Sequence, residues 1–418
     1  MKFSKRWLPA IIAPSLIAAG AVAIPLQANA VDLPDLTPQQ VMLLMDGEVT
    51  GFSGTIVKTS DLGLPPLEMS SMMDEETIKE MQEKMPEGFE DFAPQLIEQN
   101  AITQAVELIA GTHRIRVYAS EAGMRVQVLD PMSQRDLIVN ENEFWVYNAR
   151  EATAMTGTFD YEVSEADKAD MQAKAQEMID DFAAQLQLDL SNPEAVADYL
   201  MQMIGEDTEV SVGKDHLIAG RTAYQLVAQP KAENSLIESV LVSVDSETGM
   251  ALDVKVFSVE KDTPVFQIGF ESISFDTPDA SLFSFTPPAG TTVTELEVPA
   301  ELEAELGDLK ARYESEYEGK ELTEEEKAAM KAELDARLEG QPMPELIGES
   351  WDSVVYLPAI PSEVPMDLLE NELFADLMVT VEGGKVFSTP VMNVLVTDSG
   401  EVYAGAVTIE YLQEVAAR

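Results

Sequence analysis

Between residues 208 and 275 the chain repeats one pattern. "TEVSV", "RTAYQLVAQ", "IESVLVSVD", "MALDVKVFS" and "VFQIGFESISF" each alternate apolar and polar side chains, and short polar breaks separate them. Successive side chains on a strand point to opposite faces, so period-two runs at hairpin spacing predict half-buried antiparallel strands. In the last run Phe266, Ile268 and Phe270 fall on one face, and Gln267 and Gly269 on the other. "DSETG" (245–249) is the sharpest turn, with Gly249 free to take positive φ. Its Asp245 and Glu247 could begin a calcium loop, but the ligand spacing stops there and the flanking strands favour a turn. "FSFTPPAGTTV" (283–293) closes the series, and its two prolines and glycine read as ending the last strand at the rim of the sheet.

The same alternation runs through the N-terminal half. "GFSGTIVKTS" (51–60) starts the sheet. "HRIRVYAS" sets Ile115 and Val117 against Arg114 and Arg116, and "MRVQVLD" sets Val126 and Val128 against Arg125 and Gln127. "RDLIVN" and "EFWVYN" are joined by the polar "ENE". Helical spacing interrupts the strands. "TPQQVMLLM" (37–45) has Thr37 as N-cap with Val41, Leu44 and Met45 on one face. Residues 100–111, 164–187 and 192–205 also read as helices, and 68–92 is an acidic, methionine-bearing segment. Residues 298–340 read as a charged helical hairpin, in which Thr323 and Glu326 form a capping box. The tail suggests strand, helix, two strands turning at "DSG", and a final helix.

The expected organisation is therefore α+β, with a leader or membrane anchor over 1–30 and a curved antiparallel half-open barrel over 31–297. An acidic helical insertion over 298–345 and a small α/β unit over 346–418 complete it. Methionines concentrate on the helices, and an unbranched, polarisable side chain suits a surface that fits guests of variable shape. The same methionines would serve equally as gap fillers in an ordinary core.

Charge narrows the partners. The chain of 418 residues carries 76 acidic and 26 basic residues, a formal net of −50. Nucleic acid is excluded as a partner, because phosphate binding needs clustered Lys and Arg. An anionic membrane surface repels such a body, so lipid contact has to be apolar. Like charge at this density calls for screening, which points to a salty medium, or else simply keeps an acidic secreted protein soluble. There is no cysteine, hence no disulfide, no thiol nucleophile and no acyl-anchored cysteine. "MKFSKRW", the apolar "LPAIIAPSLIAAGAVAIPL" and Ala28 and Ala30 in "QANA" read as a secretory signal or an uncleaved anchor, placing the body outside the cytoplasm. His113 and His216 lack any paired metal-ligand spacing and read as surface or turn histidines. No nucleophile elbow or phosphate loop is present. No enzyme, metal or cofactor is expected.

Several pieces, in order, resemble the LolA-like outer-membrane lipoprotein carrier and sorting family, closest to its actinobacterial members. They are "GMRVQVLDP", "LIVNENEFWVYNAREATAM", "GRTAYQLVAQPK", "VLVSVDSETGMALDVKVFS" and "FESISFDTPDASLFSFTPPAGTTV". "GFSGTIVKTS" is similar to the opening strand of the related sigma-E regulatory (RseB-like) proteins. The resemblance covers residues 38–295 and takes in "GGKVFSTPVMNVLVTDSGEVYAGAV". It implies an incomplete barrel of about eleven antiparallel strands, lidded by helices over an apolar cavity for acyl chains. The family's lid-latching arginine has no counterpart in "YASEAG", and 68–92 and 298–340 look like insertions. Absence of cysteine excludes the lipid-anchored acceptor of the same fold.

The expected function is extracytoplasmic binding of acyl chains or lipoproteins. Candidate cavity-lining residues are Val126, Val128, Phe144, Val146, Val240, Val242, Val244, Val254, Val256, Phe266 and Ile268. Candidate lid residues are Met72, Met73, Met171, Met178 and Met201. Trp145 and Tyr147 make the opposite face of their strand apolar too, so alternation alone leaves the lining face open. One rival is a sigma-factor regulator that uses the same barrel to sense mislocalised lipoproteins and grips a membrane protein partner. Another is an acidic envelope scaffold with a filled core.

Overall fold

The computed structural model describes residues 32–63, 111–158, 201–295, 344–358 and 378–418, apart from 46, 48, 131, 132, 203 and 349. Near its start, Thr37 caps α1 (Pro38–Leu44). The Thr37 hydroxyl accepts from the Gln40 backbone N–H while the Gln40 side chain accepts from the Thr37 N–H, a reciprocal capping box.

The alternating runs form a thirteen-stranded sheet. A first meander comprises β1 (Gly51–Ser60), β2 (Gly111–Ser120), β3 (Gly123–Asp130), β4 (Ser133–Asn140), β5 (Glu143–Asn148) and β6 (Thr153–Thr158). A second comprises β7 (Thr208–Val212), β8 (His216–Ile218), β9 (Arg221–Pro230), β10 (Ile237–Asp245), β11 (Ala251–Ser258) and β12 (Phe266–Ser274). The two meanders join because β12 returns to pair with β1. The order is β13-β6-β5-β4-β3-β2-β1-β12-β11-β10-β9-β7, with β8 also on β9 and β13 (Thr292–Glu295) at the far edge.

The sheet does not close into a barrel, since β13 and β7 end it as separate edges. It does curl. Ile218 and Ala223, at the β8–β9 corner, pack with Leu252 of β11 beside Phe270 and Ile273 of β12. Between β10 and β11, Asp245 organises the predicted turn. Its carboxylate accepts from the Glu247 and Thr248 backbone N–H groups, from the Thr248 hydroxyl and from Arg221. Gly249 sits there at φ 71°, and a Cβ would fall 1.6 Å from the Leu44 carbonyl oxygen, so only glycine lets α1 come this close.

The prolines do not end a strand at the rim. After β12 the chain leaves the middle of the sheet and crosses one face of β3, β4 and β5 as a strap. Phe283 is buried over Gly123, where a Cβ would lie 3.0 Å from the phenyl group. Asn140 Nδ2 donates to the Phe283 carbonyl at 3.0 Å, and Arg125 donates to the Leu282 carbonyl at 3.3 Å. Phe285 then packs on Trp145 and Tyr147, with ring centroids 5.5 and 5.2 Å away. Past Pro287 and Pro288 the strap becomes β13, which runs parallel to β6. Proline suits an extended segment that crosses a sheet instead of joining its ladder, because it has no N–H to leave unpaired.

A second, six-stranded sheet has the order β14-β15-β19-β18-β17-β16. Its strands are β14 (Glu345–Ile347), β15 (Val354–Leu357), β16 (Met378–Val381), β17 (Gly384–Ser388), β18 (Asn393–Thr397) and β19 (Val402–Gly405). More strands form than the tail suggests from sequence, while "DSG" does turn β18 into β19, with Gly400 at φ 89°. On one face α2 (Ile409–Ala416), capped by Thr408, buries Leu412 and Val415 against Val354, Val386, Leu395 and Tyr403. This unit is bonded to the end of the large sheet. Leu236 N–H donates to the Ala406 carbonyl at 2.8 Å, Thr408 N–H to the Asn234 carbonyl at 2.9 Å, and Trp351 Nε1 to Thr208 Oγ1 at 2.8 Å.

The expected lid segments at 68–92 and 164–187, with Met72, Met73, Met171 and Met178, the hairpin at 298–340 and all of the expected helix at 100–111 except Gly111, which opens β2 instead, lie outside the described residues. Met201 is half-buried in a helical segment that leads into β7.

Candidate functional site: an apolar sheet face with a basic end

Directly opposed residues in an antiparallel pair share a face, so the pairing registers define the two surfaces of the large sheet. Ile56 faces Ile115, Ile115 faces Val128, Val126 faces Leu137, Leu137 faces Val146, and Val146 faces Met155. In the other direction Lys58 faces Ile268, Ile268 faces Val254, Val254 faces Val242, and Val242 faces Leu226. All eleven candidate lining residues fall on this one surface, the valine face, although they come from five different strands.

Trp145 and Tyr147 lie on the other surface. Their apolar character, which leaves the lining face open from sequence, has a local cause: they are the seat of Phe285 on the strap. Several polar residues of this strap face are paired. The Asp136 carboxylate, 2% exposed, accepts from Arg125 Nε and Nη2 at 2.9 and 2.7 Å, from Gln127 Nε2 at 2.7 Å and from Gln134 Nε2 at 2.8 Å.

The valine face is not uniform. At the β7–β10 end the segment leading into α1 and the helix itself cover it: Val41, Leu33, Leu36, Leu44 and Met45 pack on Tyr224, Leu226, Val242 and Val244. Val244 is fully buried there, so this part of the lining faces the protein's own side chains. Across β1–β5, β11 and β12 the surface is mixed. Val128 is buried with Ile56, Ile115 and Val117, while Val126, Phe144, Val146, Val240, Val254, Val256, Phe266 and Ile268 are half-buried. Phe52 and Phe270 meet edge to face at 6.0 Å at one end of β1.

At the other end of β1 stands a lysine. Lys58 shares its face with Phe52 and Ile56, is paired across to Ile268 and His113, and is 0% exposed. Its Nζ lies 5.3 Å from the centre of the Phe266 ring. Burial in these surroundings lowers its pKa from 10.5 to about 7, because an apolar medium disfavours the charged form. His113 and, two strands further on, Arg135 occupy the same face near the same end. The sequence contains the signal for Lys58, since Phe52, Ile56 and Lys58 alternate in one run. Only the tertiary structure shows that it is buried.

His216 also departs from a simple turn histidine. Its Nδ1 is 3.1 Å from the Lys214 carbonyl oxygen, which can only accept, and its Nε2 is 2.9 Å from Ser243 Oγ. Ser243 is 1% exposed, and the pair ties β8 to β10. Among the described residues, no three His, Cys, Asp or Glu side chains could hold a metal ion, and no helix is long and apolar enough to cross a membrane.

No family model matches the chain, and no curated protein matches it. Several solved structures are similar. MucB of Pseudomonas aeruginosa, solved in a complex with MucA, is 10% identical over 90% of this chain and 95% of its own, with a TM-score of 0.35. A LolA superfamily protein from Nitrosomonas europaea is 8% identical over 60% of this chain and 99% of its own, at 0.19. An uncharacterized conserved protein from Thermus thermophilus is 9% identical over 62% of this chain and 98% of its own, at 0.29. At these identities and scores the likeness carries no argument about function.

Proposed function

We propose that the protein is an extracytoplasmic binding protein that takes acyl chains, free or carried by a lipoprotein, on the valine face of its large sheet, and that it is not an enzyme. The observation that carries this reading is the breadth of that face. From β6 to β9 one apolar residue faces another across nine strand pairings, with Lys58, His113, Arg135 and Asn148 as polar positions near one end. Each methylene moved from water to such a surface contributes about 0.8 kcal/mol, so a few carbons give useful affinity. Much of the face away from α1 is only half-buried, and the strap holds the opposite surface, so the two faces divide scaffold from candidate ligand contact.

Organic extraction and mass spectrometry of the purified protein, together with titration of a fluorescent fatty acid, test the reading. A co-purifying lipid or saturable uptake supports it. Absence of both removes it and leaves a filled-core scaffold. A regulator that senses lipids and grips a membrane protein would use the same face, and would in addition yield a stable protein complex on pull-down from membranes.

A further inference from the structure

The apolar face has two unlike ends. At one, Phe52 and Phe270 form an aromatic pair, and Gly54 makes room for the Phe270 ring, which a Cβ there would approach to 2.8 Å. At the other stand Lys58, His113 and Arg135. Between Lys58 and Phe52 the strand runs six residues, about 20 Å, long enough to lie along an extended long-chain hydrocarbon. Lysine and arginine are scarce in this chain, 26 against 76 acidic residues, yet one of each gathers with a histidine at one end of its most apolar surface. A buried lysine costs stability, and groups that do so are concentrated at sites of function.

We propose that the ligand is a single-chain amphiphile with one carboxylate, a long-chain fatty acid, bound with its head at Lys58 and its chain directed along β1 and β12 toward Phe52 and Phe270. The inference rests on the acyl-binding reading above and adds the class and orientation of the ligand. A single buried ammonium matches a single negative charge, and a charge-assisted hydrogen bond in a low-dielectric setting is among the stronger polar contacts. Lys58, His113 and Arg135 all have interactions of their own within the protein, so the head group adds to or exchanges with partners already present. The net charge of −50 opposes any anionic ligand. A preference for the acid over its neutral analogue therefore has to arise locally.

The test compares palmitate with hexadecanol, which has the same chain length and no charge, by competition against a fluorescent neutral lipid at neutral pH and 0.5 M salt. Palmitate is expected to bind about tenfold or more tightly, the range of one charge-assisted hydrogen bond. Lys58→Met is expected to abolish that preference, so that the variant binds palmitate no more tightly than hexadecanol. Equal binding of the two ligands to the unaltered protein overturns the inference and leaves acyl binding standing. A preference that survives in a folded Lys58→Met protein overturns the assignment to Lys58. Binding of neither ligand removes the underlying acyl-chain reading and the inference with it. The comparison of acid with alcohol uses the natural chain, so it decides the matter even where the variant does not fold.

Discussion

Lys58 makes a prediction about stability that needs no ligand. Its side chain is fully buried, and its pKa falls from 10.5 to about 7 because burial disfavours the ammonium. Below pH 7 the lysine is protonated in both folded and unfolded chains, and the cost of burying the charge is fully present. Between pH 7 and 10.5 the folded protein has released a proton that the unfolded chain still holds, so folding becomes more favourable as pH rises. Above 10.5 the lysine is neutral in both states and the penalty is gone. A gap of about 3.5 units at about 1.4 kcal/mol each gives a penalty on the order of 4–5 kcal/mol.

Lys58→Met removes the charge and keeps an unbranched apolar chain beside Phe266 and Ile268. Allowing about 1–2 kcal/mol for the lost ring contact and other interactions, the variant is expected to be about 3 kcal/mol more stable than the natural protein at pH 6. Urea denaturation of both proteins from pH 6 to 10, at 1 M salt to screen the general charge, measures the difference. The advantage should shrink by about 1.4 kcal/mol per pH unit above pH 7. A difference that stays constant with pH would refute the reasoning, because it would mean that Lys58 titrates alike in folded and unfolded chains.

Asp136→Ala strips the shared acceptor from Arg125, Gln127 and Gln134 between strap and sheet. A loss of about 3–5 kcal/mol is expected by urea denaturation. Phe285→Ala unseats the strap from Trp145 and Tyr147, and should cost about 2–3 kcal/mol and shift tryptophan emission to longer wavelength. With a net charge of −50, the thermal midpoint should rise steadily between 0.05 and 1 M sodium chloride. A midpoint independent of salt would show that the acidic residues are paired or too well separated to strain the fold.

Much of the large sheet is legible in the residues. Alternation marks β2–β5, β7 and β9–β12, Thr37 marks the start of α1, and Gly249 and Gly400 mark turns at positive φ. Even the parity of the valine face is written there, because the side-chain period of a strand is two wherever the strand lies. Legibility ends where strands must choose partners. The return of β12 to β1, the parallel addition of β13 to β6 and the open edges depend on contacts between residues far apart in the chain. Local patterning carries no information about those contacts.

Three tertiary outcomes decide the functional reading. "FSFTPPAG" reads locally as an end, yet Phe283 and Phe285 find apolar seats on β3 and β5, and burying them draws the segment across the sheet. Trp145 and Tyr147 look equally fit to line either surface until the strap covers them. Lys58 reads as an ordinary polar residue in an alternating strand, and is a desolvated cation only in the folded protein. Period and turn chemistry act between neighbours in sequence and can be read there. Burial and its electrostatic consequences depend on what folds over a residue, which the whole tertiary structure decides.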